Sequence, residues 1–224
     1  MRRCHLSHVV DRIEGIGRVR LGSLDPSLIK PAFVERIAKL SSLAPHFHLS
    51  MQSGSNTILA LMKRKYNAEM ALRGMTLLRE AIPNVQFTTD MILGFPHEGE
   101  TEFQETMAFI EKARFLMIHA FPYSARRGTP AASMDGQVPS GIRHDRVRLL
   151  SARQAQIRAS ILAEAAQATP RITVLFEDYK DGFAYGHTDN FVEVRVPAPR
   201  PMHSLFAQVE IDSADGVCLT GHLL

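Results

Sequence analysis

The chain has 224 residues, enough to bury a substantial core in one large domain or in a medium and a small one. Its 45% hydrophobic and 22% charged residues are ordinary for a globular protein, and no run approaches the roughly 20 apolar residues of a membrane span. A formal net charge of +3 permits an anionic partner such as nucleic acid without demanding one.

The N-terminal stretch MRRCHLSHVVDRIEG is basic but lacks the apolar core of a signal peptide, so the expected location is cytoplasmic, with no membrane partner. Cys4 and Cys218 lie near opposite ends of the chain and supply no C-x2-C half-site, so free thiols are expected and no metal ligands are assigned.

Four segments read as strands of a buried sheet: RVRL (18–21), HFHLS (46–50), VQFTTDMILG (85–94) and FLMIHAF (115–121). Helical patterns separate them. PAFVERIAKLSS places Pro31 in a first turn, and NAEMALRGMTLLREAI offers Asn67 as N-cap. TEFQETMAFIEKA begins with Thr101 and Gln104 in a capping-box arrangement. Alternating strands and helices predict βα units with a parallel sheet, the α/β class. After residue 121 comes a loop rich in Pro, Gly and Ser, then a long Arg-bearing helix over 142–168. From Thr173 five short segments (173–178, 182–188, 191–196, 205–211 and 216–224) predict a small β-barrel or sandwich. The boundary falls near 168–171, dividing the chain into 1–168 and 169–224.

In parallel βα folds ligands bind beyond the carboxyl ends of strands. Those positions here hold Ser23 and Asp25, then Gln52, Ser53 and Ser55, then the Gly-Phe-Pro turn after Asp90, then Tyr123, Ser124, Arg126 and Arg127. Four polar loops at equivalent positions make a ligand floor the better reading, although each alone suits an ordinary turn. His46 and His48 share a strand face and are read as packing or hydrogen-bonding groups. Glu98, Glu100 and Glu102 are read as helix-dipole partners, and the basic run at 62–66 as solvated surface. No nucleophile triad, P-loop or dinucleotide fingerprint is present, and no catalytic residue is assigned.

HLSMQSGSN, TTDMILGFP and PYSARRGTPAA, in that order, resemble the second half of the barrel of the radical S-adenosylmethionine methylthiotransferases. GFAYGHTDNFVEV resembles the small RNA-binding TRAM barrel that ends those enzymes, and RVRLGSLDP resembles the branch acting on N6-threonylcarbamoyladenosine beside the tRNA anticodon. The resemblance implies a partial (βα) barrel followed by an all-β barrel. It also implies tRNA as partner, and S-adenosylmethionine and [4Fe-4S] clusters as cofactors for adding a methylthio group at C2 of the adenine. Gln52, Ser53, Asp90, Tyr123, Ser124, Arg126 and Arg127 become candidates for cofactor contact. Arg171, Lys180, Arg195 and Arg200 become candidates for phosphate contact. Phe183 and Tyr185 could stack on bases or fill a small core, and core packing is expected of Phe191.

The family's C-x3-C-x2-C motif does not occur in this sequence, and Cys4 has no partner at that spacing. The expectation is a C-terminal portion of such an enzyme that binds no cluster and is inactive alone, and an N-terminal half supplied in trans is a candidate partner. A barrel lacking its first strands would leave an open edge prone to association. A stand-alone RNA-binding protein and a non-functional truncated product are the alternatives. Family members usually carry glycine after the Gly-Phe-Pro turn, where this chain has His97.

Overall fold

Apolar residues alternating along the second and third predicted strands pack one face of a four-stranded parallel sheet against helices. In a computed structural model, which describes residues 15, 17–168 and 170–224, the sheet order is β1 (Val19–Leu24), β2 (Leu43–Gln52), β3 (Gln86–Leu93), β4 (Met117–Pro122). Phe47, Leu49 and Met51 of β2 and Phe87, Met91 and Leu93 of β3 are fully buried on the helical side. The alternate positions, His46, His48, Thr88 and Asp90, fall on the opposite face. Parallel sheets are ordinarily apolar on both faces, so this polar face marks something other than a core.

The helices are α1 (Pro31–Ile37), α2 (Asn56–Leu61), α3 (Ala68–Ala81), α4 (Glu100–Ala113) and α5 (Ser140–Ala168). Pro31 opens α1, where its missing N–H costs nothing, and the Asn67 side chain accepts the Met70 N–H at 2.8 Å to cap α3. The start of α4 corrects the sequence reading. Its N-cap is Gly99, whose N–H donates to Glu102 Oε2 at 2.9 Å, and Thr101 already lies within the first turn. The six-residue α2 sits inside what reads as a polar loop. Along α5, Arg146, Leu150, Gln154, Ile157 and Ile161 are buried at helical spacing, and Gln154 donates to the Phe115 and Leu116 carbonyls at 3.1 and 3.0 Å.

After α5 come five strands: β5 (Arg171–Lys180), β6 (Phe183–His187), β7 (Glu193–Pro197), β8 (Phe206–Ala214) and β9 (Leu219–Leu223). They close in the order β5-β6-β7-β9-β8 around Val174, Phe176, Ala184, Val194, Val196 and Val209. Glycine is required at two crossings. A Cβ on Gly186 would stand 2.2 Å from the Leu175 carbonyl oxygen, and one on Gly221 2.1 Å from that of Glu210.

The barrel is seated on the sheet through named contacts. Arg18 donates to the Thr188 carbonyl at 3.0 Å, Asn190 to the Asn84 carbonyl at 3.0 Å, and Arg158 of α5 pairs with Glu193 at 3.2 Å. Phe191, of which core packing was expected, packs partly buried against the hydrophobic core, but from the residues before β7, with φ +72 and its ring between those of His46 (4.5 Å) and His187 (4.6 Å). The Arg20 guanidinium stands 4.1 Å from its ring centroid. Alternation with its neighbours suggested a strand, but the chain turns here and sends the ring to the seam.

Candidate functional site

A cleft of about 720 Å³ opens at the carboxyl ends of β2, β3 and β4. Its floor includes Phe95 and Tyr123, packed edge to face with centroids 5.2 Å apart, with the fully buried Ile58 clustered behind them. Around it stand Gln52, Asp90, Ser124, Lys63, Arg64 and Arg126, so three cations face one carboxylate.

Five of the seven residues singled out for cofactor contact, Gln52, Asp90, Tyr123, Ser124 and Arg126, line this cleft. Ser53 and Arg127 do not. Ser53 is 1% exposed; its hydroxyl accepts the Ser55 N–H at 3.1 Å and lies 3.4 Å from the Thr106 hydroxyl. A Cβ on Gly54 would lie 2.6 Å from that of Phe109, so the loop presses onto α4 and turns Ser53 inward. Arg127 is exposed beyond the cleft wall. Lys63 and Arg64 correct the reading of residues 62–66 as solvated surface. The chain turns at Lys63 through φ +56 and brings both to the cleft.

The Gly-Phe-Pro turn owes its shape to buried charge. Gly94 takes φ +72, and a Cβ there would lie 2.2 Å from Cγ of Arg143, whose guanidinium donates to the Tyr123 carbonyl. Glu98 is buried and accepts the Gly94 N–H at 2.7 Å, while Arg146 Nη1 reaches Glu98 Oε1 at 3.0 Å and its carbonyl at 2.7 Å. Desolvation holds the Glu98 carboxyl above its usual range, opposed by the Gly94 N–H and Arg146. Glu98 is therefore not a helix-dipole partner, as spacing alone suggested, but the anchor of the turn. His97 has φ +67, the left-handed region where glycine is at ease, and its Nε2 meets Asp135 at 2.9 Å.

On the barrel, outward positions of β6 and β7 bring Phe183, Tyr185 and Arg195 together. Tyr185 pairs with Arg195 across the strands, and the Arg195 guanidinium stands 5.2 Å from the Phe183 ring centroid. Lys180 is exposed opposite Phe183, and Arg200 is exposed in the turn before β8. Arg171 lies at the other end of β5 beside Glu210, at 3.4 Å, apart from this group. Tyr185 and Phe183 thus do not fill the core.

The Tyr123 hydroxyl is buried without a partner, as is Arg64 Nε. Such groups cost about 1–3 kcal/mol each when left unmet. They fit a polar, anion-bearing ligand such as S-adenosylmethionine, for which Tyr123, Ser124 and Arg126 offer donors and Asp90 a counter-charge. An iron–sulfur cluster is not fitted by the described residues. Their single cysteine, Cys218, belongs to the β-barrel, where burial and Asp215 push its thiol up to about 11, away from the thiolate a cluster needs. Cys4 lies outside the described residues.

The Radical SAM superfamily profile matches residues 9–110. The solved structure of the radical SAM enzyme coproporphyrinogen III oxidase from Escherichia coli superposes with a TM-score of 0.54 at 12% identity, covering 90% of this chain and 50% of that one. Fold and profile together define a radical SAM protein whose partial parallel sheet is followed by a closed five-stranded β-barrel. Among curated proteins, the threonylcarbamoyladenosine tRNA methylthiotransferase MtaB of Bacillus subtilis is 34% identical over 92% of this chain and 46% of its own length. The tRNA-2-methylthio-N(6)-dimethylallyladenosine synthase of Dichelobacter nodosus is 36% identical over 98% and 48%. The chain belongs to the MtaB-like radical SAM methylthiotransferase family and spans about half the length of the curated relatives it matches.

Proposed function

We propose that this chain forms the S-adenosylmethionine- and tRNA-facing part of a tRNA methylthiotransferase that modifies C2 of N6-threonylcarbamoyladenosine beside the anticodon. The observation that carries the reading is the cleft at the ends of β2–β4, with its unmet Tyr123 hydroxyl and cationic rim. When bound, S-adenosylmethionine would supply the radical chemistry, which is the cofactor's own, while this chain's residues would bind and orient it. The described residues here would hold its polar groups, exclude water with Phe95 and Tyr123, and leave cluster binding to other residues or to a second polypeptide. Phe183 and Tyr185 would stack on RNA bases, with Lys180, Arg195 and Arg200 beside phosphates.

Calorimetric titration of the purified chain with S-adenosylmethionine tests the cleft. Binding that weakens at least tenfold in Tyr123→Phe/Arg126→Ala supports the reading, and undiminished binding in that variant refutes it. Cluster reconstitution followed by assay for 5′-deoxyadenosine tests the remainder. The expected result is no cleavage by this chain alone and cleavage once a cluster-bearing N-terminal partner is added. A stand-alone RNA-binding role is favoured only by the Phe183–Tyr185–Arg195 face, and predicts salt-dependent tRNA binding with no S-adenosylmethionine affinity.

A further inference from the structure

Behind the cleft wall, four side chains form a row along the polar face of the sheet. His48 Nε2 stands 3.4 Å from Asp90 Oδ2. His48 Nδ1 and His46 Nε2 each lie 3.0 Å from the Thr88 hydroxyl oxygen, which is 2% exposed. His46 is 3% exposed, and its Nδ1 is buried with no partner.

We propose that Asp90 and His48 form an acid–base pair at the cleft wall, and that Thr88 and His46 are positioning residues coupled to the protonation of His48 through one shared hydroxyl. This deepens the reading of the cleft as a ligand site and rests on it for its ligand.

A hydroxyl carries one proton, and leaving it undirected in a buried site costs about 1–3 kcal/mol. Thr88 therefore donates to one histidine and accepts from the other. With His48 neutral, the Asp90 carboxylate favours the proton on His48 Nε2, so Nδ1 accepts from Thr88 and Thr88 accepts from His46 Nε2–H. His46 Nδ1 is then a bare lone pair. When His48 gains a second proton, its Nδ1–H donates to Thr88. Turning the Thr88 proton to His46 Nε2 then keeps that hydroxyl bonded and makes His46 the Nδ1–H tautomer, at the cost of burying that N–H without an acceptor. His46 stays neutral in both states, because burial, with Arg20, His48 and His187 nearby, lowers its pKa to about 3. Charge at the cleft is thus written into the tautomer of a ring that packs on Phe191.

Among the described residues, the groups facing the row are Arg20 from β1, His119 from β4, whose ring centroid is 6.3 Å from that of His48, and His187 with its Glu177 contact from the barrel. Asp90 is the one carboxylate among them that meets His48. The pair suits a ligand group bearing positive charge, and S-adenosylmethionine, with a sulfonium and an ammonium, is the probe.

Nitrogen-15 NMR of the histidine rings in the intact chain, from about pH 5 to 8, reads the switch directly. His46 should pass from Nε2–H to Nδ1–H over the same interval in which His48 protonates. Thr88→Ser should keep the switch, and Thr88→Val should abolish it while His48 still titrates. A His46 tautomer that ignores pH in the wild type, or that still switches in Thr88→Val, overturns the assignment. S-Adenosylmethionine affinity should fall roughly fivefold as His48 protonates, and an affinity flat across that interval also overturns it. No binding at any pH would overturn the cleft reading instead, and the His46 readout, which needs no ligand, still decides the pair.

Discussion

Replacing Arg146 with methionine should cost this fold about 3–5 kcal/mol at neutral pH. The Arg146 side chain is 8% exposed and that of Glu98 fully buried, with Nη1 and Oε1 3.0 Å apart. At an effective dielectric of about 20 the attraction at that distance is about 5.5 kcal/mol. Desolvation of both ions offsets most of it, so the intact pair contributes little; the cost lies in breaking it. Without Arg146, Glu98 is an uncompensated buried carboxylate, and its carbonyl loses a donor at 2.7 Å. The pH course has a definite sign. Folded Glu98 already holds its proton more tightly than an unfolded carboxyl does. Its ionised form therefore opposes folding, with no penalty below the unfolded value near 4.3 and a growing one as pH rises through the folded value. Losing Arg146 raises the folded value further. The deficit against wild type should be largest near neutrality and shrink toward about pH 4–5, leaving about 1–3 kcal/mol for the unmet carbonyl. Urea unfolding at a series of pH values, with midpoint and slope both recorded, measures this. Adding Glu98→Gln to Arg146→Met should recover stability at neutral pH. A deficit below about 1 kcal/mol, or one that does not change with pH, refutes the reasoning.

Gly94→Ala combines a left-handed backbone with a Cβ 2.2 Å from Arg143 Cγ. It should cost about 1–3 kcal/mol in urea unfolding and weaken S-adenosylmethionine binding; an unchanged midpoint would show that the turn tolerates a side chain. At His97, with φ +67, valine should be less stable than glycine by at least about 1 kcal/mol in thermal melts, and equal melting points would count against backbone strain there. Lys180→Ala should reduce the salt slope of tRNA binding by about 0.7–0.9, whereas Phe183→Ala should weaken binding by about 1–3 kcal/mol with the slope unchanged. The reverse pattern would reassign both residues.

Features with a local cause were legible in the sequence. β2 and β3 announce themselves because one face is buried, and Asn67 announces α3 because a cap needs only its own helix. What escaped depends on residues far apart. Glu98 reads as one of three acids at a helix start, since its partner Arg146 lies 48 residues on and no periodicity links them. Lys63 and Arg64 read as surface because a left-handed turn decides where they point. Ser53 shares a loop with Gln52, but the tight approach of Gly54 to α4 turns one inward and leaves the other at the cleft. Phe191 alternates with its neighbours as a strand residue would, yet the His46 and His187 rings that receive it lie on two different sheets.

The same long-range logic gives α5 its meaning. Its stripe carries polar residues where a simple packing helix would carry leucine: Arg143 on the Tyr123 carbonyl, Arg146 on Glu98, Gln154 on the Phe115 and Leu116 carbonyls, Arg158 on Glu193. At 1.5 Å per residue, Arg143 and Arg158 stand about 22 Å apart along the axis. One end therefore grips the loops that shape the cleft, and the other grips the strand that carries Arg195. A helix gripped at both ends by buried or half-buried polar contacts acts as a rigid spacer. It holds the aromatic and basic face of the barrel at a set distance from the cleft, as a protein must if it binds RNA on one element and reacts with a single base on another.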